Sequence, residues 1–188
     1  MSQSGINAMQ RSAAGLLVVV CLLIGDWPAV AGGGPVPAQK PLAPDGRMQL
    51  SGADRCPVCA MFAARYPRTA AAMTLTSGET FYFCTNGCLL RTWLRPMAYL
   101  GRPRTAIARL TVRDYFSGRS VDAHHAVWVA GSDVVGPMGS AVVALEDAGQ
   151  LNAFTRRHGA ETVFRLDELD DALWRRISGH ELPESQAK

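Results

Sequence analysis

Apolar and polar positions along the chain predict a run of short strands interrupted by helices. Thr69–Thr76 ("TAAAMTLT") reads as a strand, Ser77–Glu79 as a hairpin turn, and the aromatic "TFYFC", Thr80–Cys84, as the returning strand. Gly87–Leu94 carries apolar residues at helical spacing, with Asn86 as the expected N-cap and Pro96 as the expected stop. Ala106–Tyr115 returns as a strand. The second half reads similarly: strand His125–Gly131, loop Ser132–Ser140, strand Ala141–Glu146, a helix from Asp147 to a C-cap at Gly159, then Glu161–Leu169 as strand and exit. A short helix over Asp171–Ser178 ends the pattern.

The fold class expected is therefore α+β. Two structurally similar ββαβ units, 48–116 with the cysteine motifs and 117–178, pack together and leave a flexible tail at 179–188. Each unit alone has little to bury, so a shared core is expected. Candidates for it are Phe81, Leu90, Trp93, Leu110, Val127, Val129, Val142, Leu145, Phe154 and Phe164.

The N-terminus reads as an address. Arg11 precedes the apolar stretch Ala13–Gly25, which is short for a bilayer span, and Ala29–Ala31 ("AVA") offers small residues to a signal peptidase. Export with cleavage after Ala31 is expected, followed by a Pro/Gly-rich tether at 32–47. Cys21 follows Val20 rather than a small residue, so a lipid anchor through Cys21 ranks below cleavage, and an uncleaved anchor ranks third. Membrane association is not expected after cleavage. Only Lys40 and Lys188 are lysines, and with a net charge of +3 and no dense basic cluster, nucleic acid is not an expected partner.

What remains is sulfur. "RCPVCAMF" places Cys56, Cys59 and Met61 within six residues, and "FCTNGC" supplies Cys84 and Cys88 after a gap of 24. Two short disulfides would stabilise little, because small loops remove little entropy from the unfolded chain. A thioredoxin-like dithiol wants its C-x-x-C after a strand, at a helix N-terminus. Four thiolates can close around zinc. Met61, and Met138 on the glycine-flanked "GPMG" turn, tilt the donor set toward soft Cu(I). His124 or His125 could add an imidazole, but adjacent strand residues point to opposite faces, so at most one would face a given site, and for each a non-ligand role is the first reading. No nucleophile elbow, phosphate loop or paired carboxylate motif marks an enzyme.

"CPVCAM", "GETFYF", "VDAHHAVWVAGSDVVGPMGS" and "HGAETVFRLDEL" together resemble the NosL family of nitrous oxide reductase accessory proteins, over about Cys56–Leu169. The resemblance implies a periplasmic, non-enzymatic Cu(I) metallochaperone of two ββαβ units. Its acceptor would be a cuproenzyme, nitrous oxide reductase or its assembly machinery, supplied with copper for a copper–sulfide centre. By the same resemblance Cys56, Cys59 and Met61 match the family's sulfur motif, and Met138 its GPMG loop. Cys84 and Cys88 join the candidate metal set from this sequence alone, either completing the same site, holding a second ion, forming a disulfide or reducing the first pair. Three features depart from the family pattern: Ala60 stands where glycine is usual, the lipidation signal is poor, and "FCTNGC" is additional. The rival expectations are a structural four-cysteine zinc domain acting through protein contacts and a periplasmic dithiol reductase.

Overall fold

Strands buried on both faces need two separate coverings, and the first sheet shows both. The structure, a computed structural model, describes residues 34–184. The expected signal segment and Cys21 lie outside them. The first strands are β1 (Ala71–Leu75) and β2 (Thr80–Phe83). With a side-chain period of two, Ala71, Met73, Leu75, Phe81 and Phe83 point into the main core, whereas Ala72 and Tyr82 point the other way. That outer face is covered by Ala38, Leu42, Met48 and Leu50, with Ala38 N–H donating to the Thr80 carbonyl at 2.7 Å. Part of the stretch expected to serve as a tether is thus packed on the sheet. At the other end Leu182 packs on the main core, and the Pro183 carbonyl accepts from Arg95 at 2.9 Å, so the expected tail is held that far.

Helix α1 (Asn86–Leu94) follows β2, and Thr85, not Asn86, is its N-cap: the Thr85 hydroxyl accepts from Cys88 N–H at 3.2 Å. Asn86 is already helical, and its side-chain amide donates to the Val142 carbonyl at 2.9 Å. Pro96 does not end the helical region. It opens α2 (Pro96–Leu100), because the first helical position needs no N–H donor. β3 (Ile107–Arg113) and the unforeseen edge strand β4 (Ser120–Asp122) complete an antiparallel sheet of order β2-β1-β3-β4.

The second sheet contains β5 (Val127–Ala130), β8 (Val143–Leu145) and β9 (Thr162–Phe164) in the antiparallel order β8-β5-β9. Between β5 and β8 the expected loop forms a small hairpin of β6 (Val135–Gly136) and β7 (Gly139–Ser140), with Met138 at its turn. Asp147 caps the 3-10 turn Ala148–Gln150, which leads into α3 (Leu151–His158), closed by Gly159. Phe154 of α3 packs with Val127, Val129, Val143 and Leu145 on one face of the sheet. The opposite face, with Trp128, Ala144 and Phe164, shares the main core with the first sheet, α1 and Leu173 and Trp174 of α4 (Asp171–Ser178). Of the expected core residues, Trp93 and Val142 are only half-buried. The fold is a mixture of antiparallel sheets and few helices.

Asp114 ties the sheets together. Its buried carboxylate accepts from Ser117 N–H and hydroxyl, both at 2.7 Å, and from Glu146 N–H at 2.8 Å, beside a parallel bridge to Ala144. Burial alone would raise its pKa, but the Ser117 and Glu146 donors outweigh burial and hold it below the ordinary carboxylate value. Asp114→Ala leaves these buried N–H groups unpaired and is expected to cost about 2–3 kcal/mol in urea unfolding at neutral pH. A depressed folded pKa gives stability that is full above the unfolded value of about 3.9 and fades as pH falls through the folded one. The gap between wild type and variant should therefore narrow below about pH 4, and a constant gap would remove the carboxylate from this role.

Candidate metal centre

The segment Cys56–Met61 is a closed knuckle. Ala60 N–H donates to the Cys56 carbonyl and Cys56 N–H to the Met61 carbonyl, each at 2.8 Å, while Arg55 and Phe62 bridge its base. The Arg55 guanidinium lies 4.1 Å from the Phe62 ring centroid and donates to the Ala60 carbonyl at 3.1 Å. Closing so tight a turn drives Ala60 to a φ of 59°, the left-handed region. An alanine there costs about 1–2 kcal/mol, whereas glycine adopts it freely. Ala60→Gly should therefore raise thermal stability by about 0.5–1 kcal/mol, after the extra unfolded-state entropy of glycine is subtracted. An unchanged or lowered Tm would show that the knuckle stores no strain.

The second cysteine pair comes from the β2–α1 junction. Cys84 follows the last residue of β2, and Cys88 lies on the first turn of α1. Their backbone is pinned by hydroxyls: Thr69 donates to the Cys84 carbonyl at 2.8 Å and Thr92 to the Cys88 carbonyl at 3.0 Å. Knuckle and junction meet. The Sγ atoms of Cys56, Cys59, Cys84 and Cys88 all lie within 4.8 Å of one another, with Cys59–Cys84 at 3.3 Å and Cys84–Cys88 at 3.8 Å. All four are free thiols; three are buried and Cys59 is half-buried. Tetrahedral thiolates around an ion with metal–sulfur bonds of about 2.3 Å would stand about 3.8 Å apart, so the group has the dimensions of one metal site.

Cys56, Cys84 and Cys88 perturb one another electrostatically. Hydrogen bonds from Cys84 and Cys88 hold the Cys56 thiol pKa well below the ordinary thiol value, while the same contacts with Cys56 push Cys84 and Cys88 up. Copper or zinc entering this group must displace the remaining protons.

Met61 is half-buried and packs on the core cluster that contains Cys56, Cys84 and Cys88. Met138 is 51 % exposed at the tip of the β6–β7 hairpin. It shares with Cys88 the wall of a cavity of about 600 Å³. His124 and His125 are exposed in the turn before β5, and neither joins the sulfur group; the His124 ring meets Trp93 edge-on. The arginines of the cavity (Arg68, Arg91 and Arg113) went unnoticed in the sequence because they stand on three separate elements.

The NosL family matches this chain over residues 47–174. The chain belongs to the NosL family. Among NosL proteins, the copper-binding lipoprotein NosL of Stutzerimonas stutzeri is 29% identical over 178 residues, covering 89% of this chain and 86% of that one. The crystal structure of the copper chaperone NosL from Shewanella denitrificans aligns with a TM-score of 0.59 at 20% identity, over 69% of this chain and 99% of that one. At that identity the likeness speaks for the fold. Both NosL relatives are named as binding proteins rather than enzymes. No helix among the described residues is long and apolar enough to cross a membrane.

Proposed function

We propose that this NosL-family chain is an exported Cu(I) metallochaperone that passes copper to a cuproenzyme. The observation that carries the reading is the convergence of Cys56, Cys59, Cys84 and Cys88 into one group of free thiols. Soft thiolates suit Cu(I), and Met61 and Met138 add thioethers of the same softness. In this reading the ion is cargo. Cys56, Cys59 and Met61 from the knuckle and Cys84 and Cys88 from the helix junction hold it, and Met138 receives it on the way out. The acceptor is nitrous oxide reductase or its assembly machinery, as the family resemblance implies. The N-terminal 31 residues direct export to the periplasm, with the described chain as the mature domain. The first strand of each sheet sits in the middle with the next two flanking it, which supports two ββαβ units, with β4 (Ser120–Asp122) of the expected 117–178 unit added to the edge of the first sheet.

Hand-off needs no redox step. One sulfur–copper bond breaks as one bond to an acceptor donor forms, and copper stays monovalent throughout. Half-buried Cys59 and the cavity wall at Cys88 are the two places where an incoming donor can reach the group.

The sulfur spacing favours one rival, a structural zinc domain, because a tetrathiolate of these dimensions is also a common zinc site. Native mass spectrometry of the reduced protein under nitrogen, titrated with Cu(I) in the presence of zinc, separates the two. One Cu(I) per chain should displace zinc completely. Zinc retention at a Cu(I) affinity typical of an ordinary zinc knuckle would overturn the copper reading.

A further inference from the structure

The cavity beside the sulfur group has a composition that copper binding does not require. Arg68 enters from the turn before β1, Arg91 from α1 and Arg113 from the end of β3. Among the described residues no carboxylate lines the cavity, and none of these three guanidiniums is in an ion pair. The Nε atoms of Arg91 and Arg113 are buried without a hydrogen-bond partner, although Arg113 Nη1 donates to the Gly118 carbonyl at 2.9 Å and the Arg91 guanidinium lies 5.5 Å from the Tyr99 ring centroid; burial holds the Arg113 pKa below its ordinary value. A guanidinium stays charged even so. With no carboxylate on the cavity wall, an anionic occupant would be the counter-charge for all three. Around these charges the walls are mostly apolar and the rim is sticky: Val135 is 77 % and Met138 51 % exposed.

Resting on the copper reading above, we infer that this cavity is the docking site of the acceptor protein. Its occupant is an acidic loop that carries a soft donor, an imidazole, thioether or thiol. Charge complementarity selects the partner: three arginines without carboxylates call for an anion. Size selects its form. About 600 Å³ lies in the range that encloses a ligand of several residues' side chains, and a lone inorganic anion would leave the apolar walls uncovered. Position selects its task. Cys88 is the one sulfur-group member on the cavity wall and Met138 stands at its mouth, so a loop anchored by the arginines brings its donor to the exit side of the site. The net charge of +3 steers an acidic partner in the same direction.

The test uses two blocked hexapeptides as probes: Asp-Glu-His-Met-Glu-Asp and its amide twin Asn-Gln-His-Met-Gln-Asn. Copper transfer from the loaded protein is followed by mass spectrometry. Each protein's Cu(I) affinity is measured alongside, so that a damaged cradle is not mistaken for a lost dock. The acidic probe should accept copper about tenfold faster than its twin, since each well-placed charge contact is worth roughly that factor. The advantage should vanish in 1 M salt and in Arg68→Glu/Arg91→Gln. Arg68→Gln, at an exposed position, keeps the test valid if the double variant misfolds. Equal rates for the two peptides, or an advantage that survives the arginine changes, would place the exit elsewhere, at Cys59. Displacement of the acidic peptide by equimolar reduced glutathione would also overturn the proposal, making the cavity a small-thiol site. Trp174 lines the cavity, so binding of the acidic peptide to the copper-free protein should quench tryptophan fluorescence. That readout is independent of copper. Arginine-dependent quenching in a protein that ignores Cu(I) would sink the copper reading while the dock stood.

Discussion

Cys56→Ser/Cys59→Ser and Cys84→Ser/Cys88→Ser are each expected to abolish tight Cu(I) binding, and to the same degree. If the two motifs held separate ions, each variant would keep one site. In the fold the four Sγ atoms lie within 4.8 Å of one another, and a separation of 3.3 Å joins Cys59 of one motif to Cys84 of the other. Serine replaces a soft, ionisable donor with a hard hydroxyl that Cu(I) disfavours. Changes to groups that merely orient a ligand cost metal affinity about 10–100-fold, so the loss of two ligands should exceed about a hundredfold. Competition with a Cu(I) chelator measures it. Folding needs a separate check by circular dichroism, because Cys84 and Cys88 are buried and a hydroxyl there costs about 1–3 kcal/mol without a partner. Cys59→Ser, at the half-buried position, is the gentlest version. Retention of one tightly bound Cu(I) by Cys84→Ser/Cys88→Ser would confine the cradle to Cys56, Cys59 and Met61.

How far the sequence foretold this arrangement depended on whether a signal was local. The aromatic run Thr80–Phe83, the periodic Asn86–Leu94 and the Gly159 cap were readable because neighbouring residues alone decide them. β4 was not, since the polar Ser120–Asp122 becomes a strand only by pairing with Thr111–Arg113. Ala38 and Leu42 lie in an aperiodic Pro/Gly-rich stretch, and only the outward face of β1 and β2 gives them something to bury against. The two cysteine spacings pointed to a candidate metal site, but that Cys59 meets Cys84 is a tertiary fact. Ala60 shows the reverse: its departure from the family glycine was visible, and the left-handed φ now says what it costs. The arginine cavity left no local trace, because Arg68, Arg91 and Arg113 are brought together only by the packing of a turn, a helix and a strand.

Trp128→Ala is expected to cost about 3–5 kcal/mol, a large share of the roughly 5–15 kcal/mol available to a domain. Trp128 is fully buried at the centre of β5, stacks on Phe164 at 6.2 Å, and its indole N–H donates to the Ala123 carbonyl at 3.0 Å. It belongs to the same core cluster as Cys56, Cys84 and Cys88, so the candidate metal site is built on the core and not beside it. Folding and copper binding should therefore be linked. A ligand at a thousand times its Kd stabilises the folded state by about 4 kcal/mol, which is similar to the expected loss. Copper-loaded Trp128→Ala should melt near copper-free wild type, while the copper-free variant melts far lower. Trp128→Phe keeps most of the buried area but loses the indole donor and some ring volume, so its deficit should be smaller than that of alanine, about 2–3 kcal/mol. Differential scanning calorimetry of all three proteins, with and without Cu(I), reads both effects. A loaded Trp128→Ala that gains no thermal stability would mean that copper binds a locally ordered knuckle independent of the core, and the sulfur group could then release its ion without disturbing the fold.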